Sequence, residues 1–180
     1  MNQSIGQLFF SGISELRLTT EEKKFIKDEE IGGVLLFSKN YDSRKQLASL
    51  VNEIQSLRGD LPLFIAVDHE GGRVQRFKNE FTHFPALEKI ADTKSPKLCF
   101  EVHKHMALEL ASCGVNTNFA PCADILTNEN CEVIGDRAFS SDPEICSKFI
   151  SSAVRGLETN GVLSCAKHFP GHGDTLLDSH

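Results

Sequence analysis

The chain has no block of like charge, no C-x-x-C pair, no internal repeat and no apolar run near the roughly 20 residues that a bilayer span requires. Each absence removes a class of function. Without a basic stripe, and with a net charge of −6, the surface is unsuited to tracking nucleic-acid phosphates or an anionic membrane. A small ligand is the more economical partner. The opening stretch MNQSIGQLFFSG lacks a basic n-region followed by a long apolar h-region, so a cytoplasmic protein is expected. The cysteines at 99, 113, 122, 131, 146 and 165 stand singly within apolar or helical patterns. They are read as reduced thiols rather than as disulfides or metal ligands.

What is present points to one core. With 180 residues, 40% of them apolar and thirteen Phe, the composition suits a single ordinary domain. Apolar runs of strand length alternate with longer helical patterns, the signature of parallel strands joined by helical crossovers. Six segments carry the strand signal: 6–12, 32–37, 63–68, a weaker HFPAL at 83–87, 115–125 and 162–167. Helix ends are marked between them. Thr19 with Glu22 forms a capping box, and Asp42 or Ser43 precedes RKQLASLVNEIQSLR. A further helix from about Pro96 to Cys113 closes at Gly114, and another starts with Asp142 as N-cap and Pro143 at its first position.

Polar residues follow the strands: Ser38 to Asn40, DHEGGR, Asp124 and KHFPGHG. Active sites of α/β barrels and open α/β sheets are built at the carboxyl ends of strands in this way, so several segments are expected to converge on one site. A full eight-stranded barrel takes about 250 residues. The expectation is therefore a truncated barrel, with open edges that invite self-association.

Three stretches carry the chemistry. VDHEGGRVQRF (67–77) sets two carboxylates, a His, two Gly and two Arg after a buried strand. Asp68 and Arg76 suit a polyhydroxylated ligand through charge-assisted hydrogen bonds, although an ion pair that merely fixes a solvated turn would look the same. VIGDRAFSSDPE offers Arg137, which either reaches a shared site or pairs locally with Asp136. KHFPGHGDTLLDSH carries Lys167 and His168 at a strand end, then His172, Asp174, Asp178 and His180 on a loop. His168 and His172 have H-x-x-x-H spacing, but Pro170 and Gly171 oppose the helix that would align them on a metal, and Lys167 would put a cation beside it. His172 also suits hydrogen bonding within its own loop. In D-x-H, an extended backbone puts Asp178 and His180 on one face, where the aspartate sets the histidine tautomer for acid/base work.

These motifs, with NTNFAPCADI and IGDRAFSSDP, resemble the beta-N-acetylglucosaminidases of glycoside hydrolase family three, of the bacterial cytoplasmic peptidoglycan-recycling type. The resemblance covers residues 1–180 in order and implies the N-terminal portion of a single TIM-barrel domain, an α/β fold of which this chain supplies the first five or six strand units. It implies that Asp68, Arg76, Arg137, Lys167 and His168 bind the hydroxyls of a terminal N-acetylglucosamine. It also implies that Asp178 and His180 form the acid/base dyad of a retaining hydrolysis, with no cofactor or metal. No aspartate of the chain matches the family's nucleophile, so the isolated chain is expected to bind without appreciable turnover, either as an enzyme cut short or as a sugar-binding or partner-dependent fragment. In a completed chain, Asp178→Ala and His180→Ala should each lower turnover by about 10²–10⁴-fold. Ground-state sugar binding should be kept, and full activity in either variant, measured with a fluorogenic glycoside, would remove the dyad assignment.

Overall fold

The computed structural model describes residues 5–59 and 61–177. Strand and helix alternate from the start: β1 (Phe10–Gly12), α1 (Thr20–Asp28), β2 (Gly33–Leu36), α2 (Arg44–Gln55) and β3 (Phe64–Val67). A small hairpin follows directly, formed by β4 (His69–Gly71) and β5 (Val74–Gln75). Then come α3 (Leu87–Asp92), α4 (Pro96–Ser112), β6 (Thr117–Asn118), α5 (Pro143–Glu158) and β7 (Leu163–Ser164).

The main sheet has the order β1-β2-β3-β6-β7, and every neighbouring pair is parallel. In doubly wound sheets the order reverses part-way, whereas here each barrel strand lies beside its predecessor, as in an α/β barrel. The fold is TIM-barrel-like, with five barrel strands among the described residues.

Local chemistry explains the helix ends. Thr19 and Glu22 satisfy each other's backbone N–H groups in a capping box, and Ser43 caps α2 by accepting from the Gln46 N–H. Ser95 and Asp142 cap α4 and α5, each followed by proline at the first helical position.

Two strand expectations need correcting. HFPAL at 83–87 is not a strand: it runs as irregular chain until α3 begins at Leu87. Its apolar residues face inward for another reason, since Phe84 stacks near His69 and its carbonyl receives the Gly72 N–H at 2.8 Å. The segment 115–125 forms ladder only at Thr117–Asn118, with a separate parallel bridge between Cys122 and Lys167.

The alternation of strand side chains divides the sheet into two faces. Val34, Leu36, Ile65 and Val67 are fully buried in the main core, beside Leu47 and Ile54 of α2 and Met106 and Leu110 of α4. A second cluster joins α3, α4 and α5 to Cys122, Ile134 and Phe139. On the opposite face of the strands lie Phe10, Phe64 and Leu163, each partly open to solvent, with the Phe10 and Phe64 ring centroids 5.9 Å apart.

One buried side chain ties the sheet to the hairpin. The Asn118 Oδ1 accepts the His69 N–H at 3.0 Å and its Nδ2 donates to the His69 carbonyl at 2.8 Å. Asn118→Ala would remove two hydrogen bonds to buried backbone groups, a loss of about 1–3 kcal/mol. Urea unfolding should show it as a lower midpoint at unchanged slope.

Candidate functional site

The peptide plane alternation that buries β3 continues into Asp68-His69-Glu70. Asp68 and Glu70 face one side while the His69 ring turns to the other, among Phe77, Phe81 and Phe84. Gly71 and Gly72, with φ of +102° and +56°, then turn the chain tightly against Pro85 and Ala86, where a Cβ would stand within 2.5 and 2.9 Å of neighbouring atoms.

Glu70 is 1% exposed, and two carboxylates this close need cations. Lys167, beyond β7, supplies one to both: its Nζ lies 2.6 Å from Asp68 and 2.7 Å from Glu70. Arg137, from the loop before α5, meets Glu70 in a fork, with Nε and Nη2 each at 2.9 Å. Arg76, on the far side of the hairpin, reaches Asp68 at 3.3 Å and is 33% exposed. The network thus runs from a sealed inner end at Glu70 to an outer end open to solvent.

His168 joins at the other side. Its Nε2 is 3.2 Å from Arg137 Nη2, and its Nδ1 is 2.6 Å from Asp124 Oδ2. Asp68, Val74, Arg76, Val133, Arg137, Lys167 and His168 line a cavity of about 370 Å³, large enough for one sugar ring. A second hollow of about 540 Å³ lies across Lys167 and His168, beside Asp124 and Gly173.

Burial by itself pushes the Asp68 carboxyl up, but the Lys167 ammonium and Arg76 guanidinium outweigh it and hold the group below the usual aspartate range. Asp124 behaves likewise: burial raises it, and hydrogen bonds from His168, the His172 N–H and the Cys122 thiol bring it below its ordinary value. Arg137 is disfavoured by burial yet raised by Glu70, so its charge is secure. The cavity presents fixed donors and acceptors of both signs, the lining that a polyhydroxylated ligand requires.

All five residues expected to bind a sugar therefore meet around one cavity. Asp178 and His180 lie outside the described residues. Arg137 does not pair with Asp136 beside it. That aspartate is held by Arg73 at 3.0 Å, which also donates to the carbonyls of Glu132, Val133 and Ile134 and so fixes the loop that carries Arg137. Asn40, another strand-end polar residue, is buried and spends its amide on the carbonyls of Ile13 and Glu15. Cys122, Asp124 and His168 have ligand atoms within 4.8 Å of one another. Burial pushes the Cys122 thiol up, however, and the protonated sulfur donates to Asp124 at 3.2 Å, so the trio is a hydrogen-bonded cluster.

Residues 1–180 match the model of the glycosyl hydrolase family 3 N terminal domain throughout. The chain belongs to glycosyl hydrolase family 3. Among curated relatives, the beta-hexosaminidase of Neisseria meningitidis serogroup C strain 053442 is 42% identical over 180 residues, covering 96% of this chain and 49% of that protein. The family 3 beta-N-acetylglucosaminidase from Paenibacillus sp. FPU-7 superposes with a TM-score of 0.95 at 35% identity, covering 99% of this chain and 35% of its own. NagZ from Neisseria gonorrhoeae, solved in complex with N-trifluoroacetyl-D-glucosamine, gives 0.89 at 41% identity, covering 95% of this chain and 51% of its own. The chain spans about half the length of the curated relatives it matches.

Two residues of the site escaped sequence reasoning. Glu70 was visible only as a second carboxylate in DHEGGR, and Asp124 only as a polar residue after a strand. Their partners lie 67 and 44 residues away, beyond any local pattern.

The buried histidines set an acid limit. Burial lowers His69 to about 3 and His103 to about 4, the latter partly offset by a bond to the Cys99 carbonyl. Both stay neutral in the fold, while in the unfolded chain they take up protons below about pH 6.5. The unfolded state then binds more protons, so stability falls as pH drops from about 6.5 toward 4, by about 1.4 kcal/mol per pH unit for each histidine. Asp68 and Asp124, with lowered values, add their loss only below the ordinary aspartate range. Neither His69 ring nitrogen has a hydrogen-bond partner among the described residues. His69→Phe should therefore fit the aromatic cage and remove one histidine's share of that slope, read from urea midpoints at about pH 6.5, 5.5 and 4.5.

Proposed function

We propose that this chain is the sugar-gripping part of a single TIM-barrel domain of a retaining beta-N-acetylglucosaminidase. The substrate would be terminal, non-reducing N-acetylglucosamine on peptidoglycan-derived muropeptides, handled in the cytoplasm during cell-wall recycling. The observation that carries this reading is the continuous network Arg76–Asp68–Lys167–Glu70–Arg137–His168 at the edge of one cavity. Buried ion pairs contribute little net stability against apolar packing, so a network of this extent at a cavity argues for ligand recognition. The names of the relatives support the choice of sugar.

In this reading Asp68, Arg76, Arg137, Lys167 and His168 fix the hydroxyls of the sugar, and that binding energy aligns the anomeric carbon for attack. An aspartate nucleophile bonds to the anomeric carbon as His180, oriented by Asp178, gives its proton to the leaving oxygen. The same histidine then takes a proton from the water that releases the sugar. The nucleophile matches no aspartate of this chain, so binding and turnover separate. No helix among the described residues is long and apolar enough to cross a membrane.

The isolated chain should bind N-acetylglucosamine in a calorimetric titration, and Arg76→Ala should weaken that binding roughly tenfold. Because the Arg76 pair is partly exposed, thermal stability should change by no more than about 1 kcal/mol. Arg137→Ala should behave differently, destabilising the fold by about 3–5 kcal/mol through the unpaired Glu70. Turnover of a fluorogenic N-acetylglucosaminide should be near background. A chain that binds no sugar would rule out this function, and one that turns over like a full-length relative would rule out the missing nucleophile.

A further inference from the structure

Asp124, behind His168, accepts four hydrogen bonds. Its Oδ2 receives His168 Nδ1 at 2.6 Å, the His168 N–H at 3.3 Å and the Cys122 thiol at 3.2 Å. Its Oδ1 receives the His172 N–H at 2.6 Å. One carboxylate thereby holds both ends of the turn 168–172. The flanks are bound as well: Thr127 donates to Asp174 at 3.0 Å, Asn128 N–H to the Gly173 carbonyl at 3.1 Å, and Gly173 passes so near Ile125 that a Cβ would stand 1.8 Å from its carbonyl oxygen.

The polarity of the His168 contacts leaves one arrangement of protons. An ionised carboxylate only accepts, so Nδ1 must carry the hydrogen it shares with Asp124. A guanidinium only donates, so Nε2 must present its lone pair to Arg137 Nη2. The opposite tautomer would set a lone pair against the carboxylate and an N–H against the guanidinium. Arg137 is meanwhile kept in place by Glu70 and the Val133 carbonyl.

The geometry points to Asp124 as a positioning residue that locks His168 in its Nδ1–H form, so that the ring meets a ligand hydroxyl only as an acceptor through Nε2. The ligand part of this inference rests on the sugar-binding reading above; the tautomer part does not. A ligand hydroxyl that donates its hydrogen can share or replace the Arg137 contact, whereas a group offering only a lone pair, such as a fluorine or a methoxy oxygen at the same carbon, has no partner there. Asp124→Asn conserves shape but changes this polarity. The amide oxygen can still take the His172 N–H, and then its NH₂ faces Nδ1 and drives the ring toward Nε2–H, against Arg137.

The test uses the full 180-residue chain, ¹⁵N-labelled at histidine. A two-bond ¹H–¹⁵N spectrum reads the tautomer, and His168→Gln identifies the signals that belong to residue 168. The wild type should show Nδ1 protonated and Nε2 bare. Asp124→Asn should shift the ring to Nε2–H or into exchange and weaken N-acetylglucosamine binding on the order of tenfold. Cys122→Ala, which removes only a neighbouring donor, should leave the tautomer as it is. An Nε2–H ring in the wild type, or a wild-type pattern that survives in Asp124→Asn, overturns the inference. If Asp124→Asn does not fold, the wild-type spectrum still decides. A wild type with the Nδ1–H ring that binds no N-acetylglucosamine overturns the sugar reading and leaves the positioning role standing.

Discussion

A carboxylate removed from water stays charged only if cations are brought to it, and Glu70 imposes that condition on the whole upper rim of the sheet. It lies two residues from Asp68, on the same side of an extended backbone, so the two anions would repel without Lys167 between them. Arg137 completes the inner pair and Arg76 the outer one. The loops after β3, before α5 and after β7 must therefore arrive at one point, and the parallel order of the sheet brings them there.

The supports of this network are themselves economical. The residue between the two anions, His69, points the opposite way into an aromatic cage, and Asn118 grips its backbone from the neighbouring strand. One face of the tripeptide is thus anchored in the core while the other carries charge. Arg73, three residues after Glu70, reaches across to hold the loop of Arg137. The hairpin after β3 consequently carries both the acidic groups and the clamp that aims their partner.

Much of this was legible in sequence wherever the signal is local. Thr19 with Glu22 and Asp142 with Pro143 mark helix starts because capping is settled within four residues. Strand-length apolar runs alternating with amphipathic helices were enough for a parallel α/β fold, and the family resemblance implied the barrel. HFPAL misled because burial of Phe84 and Leu87 imitates a strand, although the burial comes from packing over the hairpin and at the start of α3. The role proposed for Asp68, Arg76, Arg137, Lys167 and His168 came from motif resemblance, which encodes long-range contacts indirectly. Asp124 and Glu70 carry no such local mark, since what distinguishes them is the identity of a partner 44 or 67 residues away.

That separation has a kinetic meaning. The bond between Lys167 and Asp68 closes 99 residues of chain, a far longer loop than any strand–helix–strand unit contains. Topologies dominated by such distant contacts fold slowly, because chain entropy is lost before the contacts that compensate for it can form. The pocket is therefore complete only when β7 has docked. Until then Asp68 and Glu70 lack the Lys167 cation, and their charges must stay hydrated.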